Sequence, residues 1–434
     1  MTTPEPRTTP EILTTADPLT TADPLTTTRT GRHAMAGGAA AAQPPAARAT
    51  PGPASGAVAP PPIPLTRPSL DKAELAAVAE VFESGWVAGQ GPRCLALEAD
   101  FKRLTGRKYA VAVNSCTSGL HLALEGLGLR TGDEVIVADY SFPATGNAVL
   151  YCGASPVFVD VRADTGTIDP GLVDDAVSPS TRAIIAVDAL GVPADWSPLE
   201  QIAWRHGLVL IEDAACSAGG SYSGRPCGSF GEAAVFSLHA RNSITCGEGG
   251  VVTTDDGGLA ERVRRDACFG MENAFERQPG GSLPVPTFPG LGYNYQLSDI
   301  LAAIASVQFG KIEQFIQRRT ALAARYAELL ADIPGILLPV VPSDRSPTWQ
   351  SYAVTVEQPL SRDAIALALR AQGIGCSIGT YALHQQAVYG SGPASCPVSG
   401  QLFERHLTLP MYTELTDADQ LRVAEALAKI VSEQ

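Results

Sequence analysis

The sequence predicts an α/β protein in which a mostly parallel, doubly wound sheet forms a large domain over residues 65–312. A smaller C-terminal α+β domain is predicted to follow over residues 313–434. Two observations lead to this prediction. Within the first range, short apolar runs such as YAVAV, EVIVA and LVLIED alternate with helical segments, which is the pattern of parallel strands joined by helices. From about residue 313 the pattern changes to helices around the strand SYAVTVE, ending in the helical segment DADQLRVAEALAKIVSE.

The first 64 residues are predicted to be a disordered extension. They contain LTTADP twice in tandem, followed by an Ala/Pro/Gly tract. Such a composition buries too little apolar surface to offset the entropy of ordering the chain. The ordered chain is then expected to begin with a helix over LDKAELAAVAEVFES, stopped by Gly85, and a second helix near LALEADFKRLT.

Composition excludes several classes of function. The formal net charge is −14 and the isoelectric point is about 4.9, which argues against nucleic-acid binding as the main role. The nine cysteines form no C-x-x-C pair and are expected to be reduced thiols of a cytoplasmic protein. No apolar run is long enough to span a membrane, and the first residues lack the features of a signal peptide.

Polar residues at the ends of predicted strands form the candidate site. Thr117 and Ser118 open a helix directly after the strand YAVAV, where free N–H groups and the helix dipole favour a phosphate, although both could simply cap the helix. Asp213 ends the strand LVLIED, where an α/β sheet binds its ligands. Phe142 follows another strand and could either face the ligand or belong to the core.

The stretch Phe236–Gly250, FSLHARNSITCGEGG, is where a resemblance to a known family is clearest. Together with SGW, CTSG, SFPAT, EDAA and GYNYQLSDI, in that family's order, it resembles the DegT–StrS family of pyridoxal-phosphate (PLP) sugar aminotransferases. The resemblance covers roughly residues 65–434 and implies the fold-type I architecture of PLP enzymes. Ser237 and His239 fall in register with the family motif. Asn242 stands where the family has the lysine that forms the Schiff base with the cofactor.

The resemblance also implies roles for single residues. Thr117 and Ser118 would hold the cofactor phosphate, Ser237 would also contact the cofactor, Phe142 would stack on the pyridine ring, and Asp213 would face the pyridine nitrogen. Cys216 would lie near the ring hydroxyl, where the family has His or Gln, and Asp188 stands where the family often has His. Asn294 would reach the partner subunit's cofactor in a homodimer with shared active sites. His384 would lie in the substrate-side loop, and the family's usual substrate is a nucleotide-linked keto-sugar of secondary metabolism such as antibiotic biosynthesis.

Asn242 is compatible with the expected fold but not with the expected aminotransferase activity. A carboxamide is not nucleophilic and has no useful pKa for moving a proton. The neighbouring Arg241 stays protonated, and the sequence has no lysine between Lys108 and Lys311. PLP or pyridoxamine phosphate (PMP) is therefore expected to bind without a covalent bond.

Three interpretations remain open at this point. The chain is a sugar aminotransferase whose lysine has been replaced, a non-transaminating lyase or dehydratase, or a catalytically silent homologue. The second interpretation needs another base, for which His239 and Cys216 are the candidates.

Overall fold

The computed structural model describes residues 61–272, 285–390 and 395–434. Within these ranges the chain forms twelve α-helices, whose bounds are α1 Lys72–Ser84, α2 Pro92–Thr105, α3 Cys116–Gly126, α4 Pro143–Tyr151, α5 Pro170–Ala176, α6 Trp196–His206, α7 Gly257–Asp266, α8 Asp299–Phe309, α9 Ile312–Leu330, α10 Arg362–Ala371, α11 Pro397–Arg405 and α12 Asp417–Ser432. Local chemistry sets the bounds of α1, as predicted. Asp71 and Glu74 form a capping box at its start, and Gly85 ends it at φ 73°, where a side chain would be strained.

Seven strands form the large sheet: β1 Tyr109–Val113, β2 Glu134–Ala138, β3 Ser155–Val159, β4 Thr181–Val187, β5 Val209–Asp213, β6 Ala233–Ser237 and β7 Gly250–Thr254. Their order across the sheet is β1-β7-β6-β5-β4-β2-β3. All pairs are parallel except those of β7, which runs antiparallel to both β1 and β6. The predicted mostly parallel α/β sheet is confirmed.

Helices cover both faces of this sheet. Along β2, Val135 and Val137 pack in one apolar cluster with residues of α3 and α4, whereas Ile136 packs in another with Trp196 of α6. The side chains of all three β2 residues are fully buried. Burial on both faces explains why these strands are continuous apolar runs and not alternating ones. Because β1 to β6 all run in the same direction, their carboxyl ends share one edge of the sheet.

A second sheet of four antiparallel strands lies in the C-terminal part: β8 Ile336–Leu337, β9 Tyr352–Val356, β10 Ser377–Ile378 and β11 His406–Leu409, in the order β8-β9-β11-β10. Helices α9, α10 and α12 contribute buried residues to the same apolar cluster as this sheet. The domain boundary at residue 312 stays a prediction. Short two-residue strands complete the described strands: Tyr140–Ser141 with Tyr381–Ala382, and Arg345–Ser346 with Ser221–Tyr222 and Arg225–Pro226.

Two boundaries differ from those expected. Nearly all of the predicted disordered extension lies outside the described residues, but its last residues belong to the fold. Ile63 is only 2% exposed, and its backbone hydrogen-bonds Gly373 and Gly375. The sequence pattern after GYNYQLSDI predicts one long helix, but this helix is interrupted, since α8 ends at Phe309 and α9 begins at Ile312. Across the described ranges, no helix is both long enough and apolar enough to cross a membrane.

Candidate active site at the carboxyl edge of the sheet

Polar side chains gather where the parallel strands end. Asp213 is the last residue of β5 and Ser237 the last of β6, while Asp139 and Asp188 directly follow β2 and β4. Because the carboxyl ends of parallel strands share an edge, these side chains come from distant parts of the chain to one end of the sheet.

Asp213 is the most strongly held of the predicted site residues. One carboxylate oxygen accepts a 2.7 Å hydrogen bond from the Thr145 hydroxyl, and the other accepts one of 3.2 Å from the backbone N–H of Ala215. The residue is 4% exposed, and burial raises the pKa of its carboxyl to about 6. The Cys116 thiol is a third, weaker donor, with its sulfur 3.9 Å from the oxygen that also accepts the Ala215 N–H. A buried carboxylate with so few donors favours a cationic partner, such as a protonated pyridine nitrogen.

Asp188, in contrast, is held by other groups of the protein. Its two oxygens accept hydrogen bonds from the Ala194 backbone N–H at 2.9 Å and the Ser217 hydroxyl at 2.6 Å. The Trp196 indole N–H also donates to Asp188 at 3.3 Å, the carboxyl of Glu212 is a further neighbour, and both acidic residues are fully buried. Burial and the charge of Asp188 raise the pKa of Glu212 well above its ordinary value, and burial raises that of Asp188. Two buried carboxyls this close repel each other when both are charged, which favours a proton on one of them.

Cys216 lies one turn beyond Asp213. Burial, followed by the negative charges of Asp213 and Asp188, raises the pKa of its thiol to about 12. The thiol is therefore neutral near pH 7 and is a poor proton acceptor.

The start of α3 has the geometry expected of a phosphate site. Ser115 is the N-cap, and its hydroxyl accepts the backbone N–H of Ser118 at 3.1 Å. The Ser118 hydroxyl lies 2.7 Å from the Asn114 side-chain oxygen, so it orders the turn. The backbone N–H groups of Cys116 and Thr117 have no acceptor among the described residues. They lie at the helix start, beside the half-buried Thr117 side chain.

Asn242 sits in the polar loop between β6 and β7. Its side-chain amide donates a 3.1 Å hydrogen bond to the backbone carbonyl of Ser237, and its backbone N–H donates to His239 at 2.9 Å. The carboxamide is thus turned back onto the end of β6. His239 accepts the Arg241 backbone N–H at 3.3 Å through Nδ1, while its Nε2 lies 3.7 Å from a Glu248 oxygen.

Phe142 and His384 lie at the same end of the sheet. Phe142 is 61% exposed at the start of α4, so it is not a core residue, and its ring contacts that of Tyr381 edge-on at 6.0 Å. His384 lies in a short 3₁₀ turn, and its Nδ1 is 2.6 Å from a carboxylate oxygen of Asp139.

Asn294 is exposed, and only its backbone carbonyl contacts the start of α3, by accepting from the Asn114 side chain at 3.3 Å.

Sequence reasoning missed Thr145 and Asp139. Thr145 lies inside the SFPAT motif, but no local sequence pattern identifies it as the partner of Asp213, which is 68 positions away. Asp139 could have been found, because it follows the strand EVIVA just as Asp213 ends LVLIED. Its partner His384 is 245 positions away, which no local pattern reveals.

Comparison with known proteins places this arrangement in a family. The family model of the DegT/DnrJ/EryC1/StrS aminotransferases matches residues 68–428. DesV of S. venezuelae, solved in complex with a ketimine intermediate, is 34% identical with a TM-score of 0.78, over 86% of this chain and 99% of that one. DesI, solved in the presence of its TDP-sugar product, is 34% identical with a TM-score of 0.78, over 86% and 93%. Spr1654 from Streptococcus pneumoniae, in its PLP form, is 26% identical with a TM-score of 0.78, over 86% and 99%. The chain belongs to the DegT/DnrJ/EryC1/StrS aminotransferase family.

Proposed function

We propose that this protein binds PLP or PMP without a covalent bond and acts on a nucleotide-linked keto-sugar in secondary metabolism. The observation that carries the proposal is Asp213, a buried carboxylate at the carboxyl end of β5 whose donors are the Thr145 hydroxyl, the Ala215 N–H and, weakly, the Cys116 thiol. When bound, the cofactor supplies an electron sink that this carboxylate strengthens by keeping the ring nitrogen protonated.

The surrounding groups suit the rest of such a cofactor. The free N–H groups at the start of α3, with Thr117 and Ser237, would hold the phosphate, and the exposed ring of Phe142 would cover one face of the pyridine. Ser118 would act on the phosphate indirectly, since its hydroxyl orders the turn. Cys216 would stand beside the ring as a neutral thiol.

The bond between cofactor and protein would be missing because of Asn242. Its amide nitrogen donates to the Ser237 carbonyl and has no lone pair available for attack on an aldehyde. No lysine lies between Lys108 and Lys311 to replace it. The affinity would therefore depend on the phosphate contacts, Phe142 and Asp213.

The substrate proposal rests on relatives and on one loop. DesI was solved with a TDP-sugar product, which supports a nucleotide-linked sugar as the substrate class here. His384 would contact this substrate, because its loop packs beside Phe142 through Tyr381.

A homodimer with shared active sites is part of the same proposal. Asn294 is exposed near the start of α3 and would serve the partner's phosphate site. Large apolar side chains are exposed on α1 and just after it, as expected of a surface that another subunit covers: Leu75 at 71%, Phe82 at 62% and Trp86 at 43%.

The test is an absorbance spectrum of the protein with added PLP, before and after borohydride reduction. The protein should retain PLP through gel filtration and show the absorption of the free aldehyde, with no protonated-imine band. Peptide mass analysis after reduction should find no pyridoxyl-lysine. Failure to retain PLP or PMP would refute the proposed cofactor, and an adduct on a lysine such as Lys311 would refute the site assignment.

A further inference from the structure

The imidazole of His384 is held by a single buried carboxylate. One oxygen of Asp139 lies 2.6 Å from His384 Nδ1, and the other accepts the backbone N–H of His384 at 2.7 Å. The Asp139 backbone carbonyl also accepts the N–H of Leu383 at 2.9 Å. Asp139 is fully buried, so both of its carboxylate oxygens serve to place this one histidine.

This contact decides the tautomer of the ring. A carboxylate can only accept, so Nδ1 must carry a proton, and in the neutral ring the lone pair is then on Nε2. The His384 side chain is 18% exposed, compared with 0% for Asp139, so a partly exposed ring lies against a buried anion.

The pair lies beside the proposed ligand site. Asp139 directly follows β2, the same short loop carries Phe142, and the helix α4 that follows carries Thr145, the donor to Asp213. The strand Tyr381–Ala382, just before His384, pairs with Tyr140–Ser141 of that loop. The loop after β2 and the first turn of α4 thus connect the Asp139–His384 pair with the carboxylate expected to face the cofactor.

The other candidate proton acceptors are less suitable. The Nδ1 of His239 already accepts a backbone N–H, and its Nε2 faces Glu248 in a half-exposed position. The thiol of Cys216 is neutral near pH 7, because burial raises its pKa to about 12.

We propose that Nε2 of His384 is the proton acceptor of this site, with Asp139 as the positioning residue that sets its tautomer and orientation. The inference rests on the proposed function, because it gives the site a base that Asn242 does not provide. In the step, an acidic C–H bond of the ligand breaks, its proton moves to Nε2, and the electron pair stays with the ligand. The pair changes from carboxylate and imidazole to carboxylate and imidazolium, so the new positive charge is balanced.

The tautomer is testable without cofactor or substrate. The chain has six histidines, so selective ¹⁵N-histidine labelling gives a spectrum that can be assigned with variants. At about pH 8.5, where imidazole is neutral, His384 should carry its proton on Nδ1. Asp139→Asn should move that proton to Nε2, because the Asn oxygen would take the backbone N–H and the Asn amide would donate to Nδ1. The exposed pair Asp174–His206, with 2.8 Å between Oδ1 and Nε2, gives the matched control Asp174→Asn, which should leave the His384 signals unchanged.

The second readout is exchange of the Cα hydrogen of L-glutamate with D₂O in the presence of PLP. His384→Asn keeps a side-chain N–H for Asp139 but lacks Nε2, so it should preserve the melting temperature and slow exchange by about 100-fold or more. Asp139→Asn should also slow exchange, whereas His206→Gln should not.

Each result decides one part of the inference. A proton on Nε2 in the unmodified protein, or equal exchange with and without His384, overturns the proposal, as does retention of PLP with no exchange at all. Loss of PLP on gel filtration refutes the proposed function and this role with it, while the NMR result still decides whether the pair exists. Cys396 Sγ lies within 4.8 Å of the same ligand atoms. Stoichiometric zinc that is lost in His384→Asn would therefore assign the three side chains to a metal site and overturn the proposal.

Discussion

Replacing Asp213 by Asn should stabilise the cofactor-free protein at neutral pH. The folded-state pKa of this buried carboxyl is about 6, above its ordinary value of 3.8. A raised carboxyl pKa means that the folded state binds the proton more tightly, so the free energy of unfolding falls as pH rises from about 3.8 to 6 and stays lower above that range. With about 1.36 kcal/mol for each pH unit, the cost at pH 7.5 is about 3 kcal/mol.

The Asn side chain can satisfy the same neighbours without this cost. Its oxygen would accept the Ala215 N–H, and its amide would donate to Thr145 Oγ1, whose hydroxyl can turn toward Ser141 at 2.8 Å. Asp213→Asn should therefore raise the free energy of unfolding of the cofactor-free protein by about 1–3 kcal/mol at pH 7.5. The gain should nearly vanish at about pH 4, where most of the Asp213 carboxyl is protonated in the folded protein.

The assay is urea unfolding of the dialysed protein at both pH values. The control is the same substitution at another buried Asp, where a loss of stability is expected. Asp160 accepts backbone N–H groups from Val161, Val398 and Ser399. Asp160→Asn would place an amide against one of these donors and should cost about 1–3 kcal/mol. If Asp213→Asn is less stable than the unchanged protein at pH 7.5, or if its gain does not depend on pH, the desolvation argument is wrong.

The same substitution should have the opposite effect on the cofactor. Loss of the ion pair with the ring nitrogen should weaken PLP binding by about 10- to 100-fold, measured by equilibrium dialysis. Unchanged affinity would contradict the placement of the pyridine nitrogen at Asp213.

Three further predictions concern the lysine position, the N-terminus and the assembly. Asn242→Lys should create the protonated-imine band with PLP, whereas Arg241→Lys, in the same loop at an exposed position, should not. A band with Arg241→Lys alone would show that the cofactor aldehyde lies beside residue 241 and not beside residue 242. Deletion of residues 1–60 should leave the melting temperature unchanged, while deletion of residues 1–65 should lower stability by about 2–5 kcal/mol, because it removes the buried Ile63. Light scattering at micromolar concentration should show a dimer or a larger even assembly. A monomer would refute the shared active site proposed for Asn294.

The sequence alone was sufficient for the α/β class and for several strand ends. Continuous apolar runs of about five residues identified β1, β2 and β5, because strands buried on both faces need no polar alternation. Asp213 could be selected from its position at the end of such a run. The departure at Asn242 was readable because the flanking motif stayed in register.

Tertiary structure decided which groups act together. Asp139 with His384, Thr145 with Asp213, and Asp188 with Glu212 are pairs between elements whose adjacency depends on strand order and loop packing. Local periodicity records whether a residue faces the core, but it carries no information on which distant element covers that core. Burial, too, is a property of the assembled fold, and it raises the pKa of Asp213 and keeps the Cys216 thiol neutral. The chemistry of the site therefore depends on contacts that form only when the chain has folded.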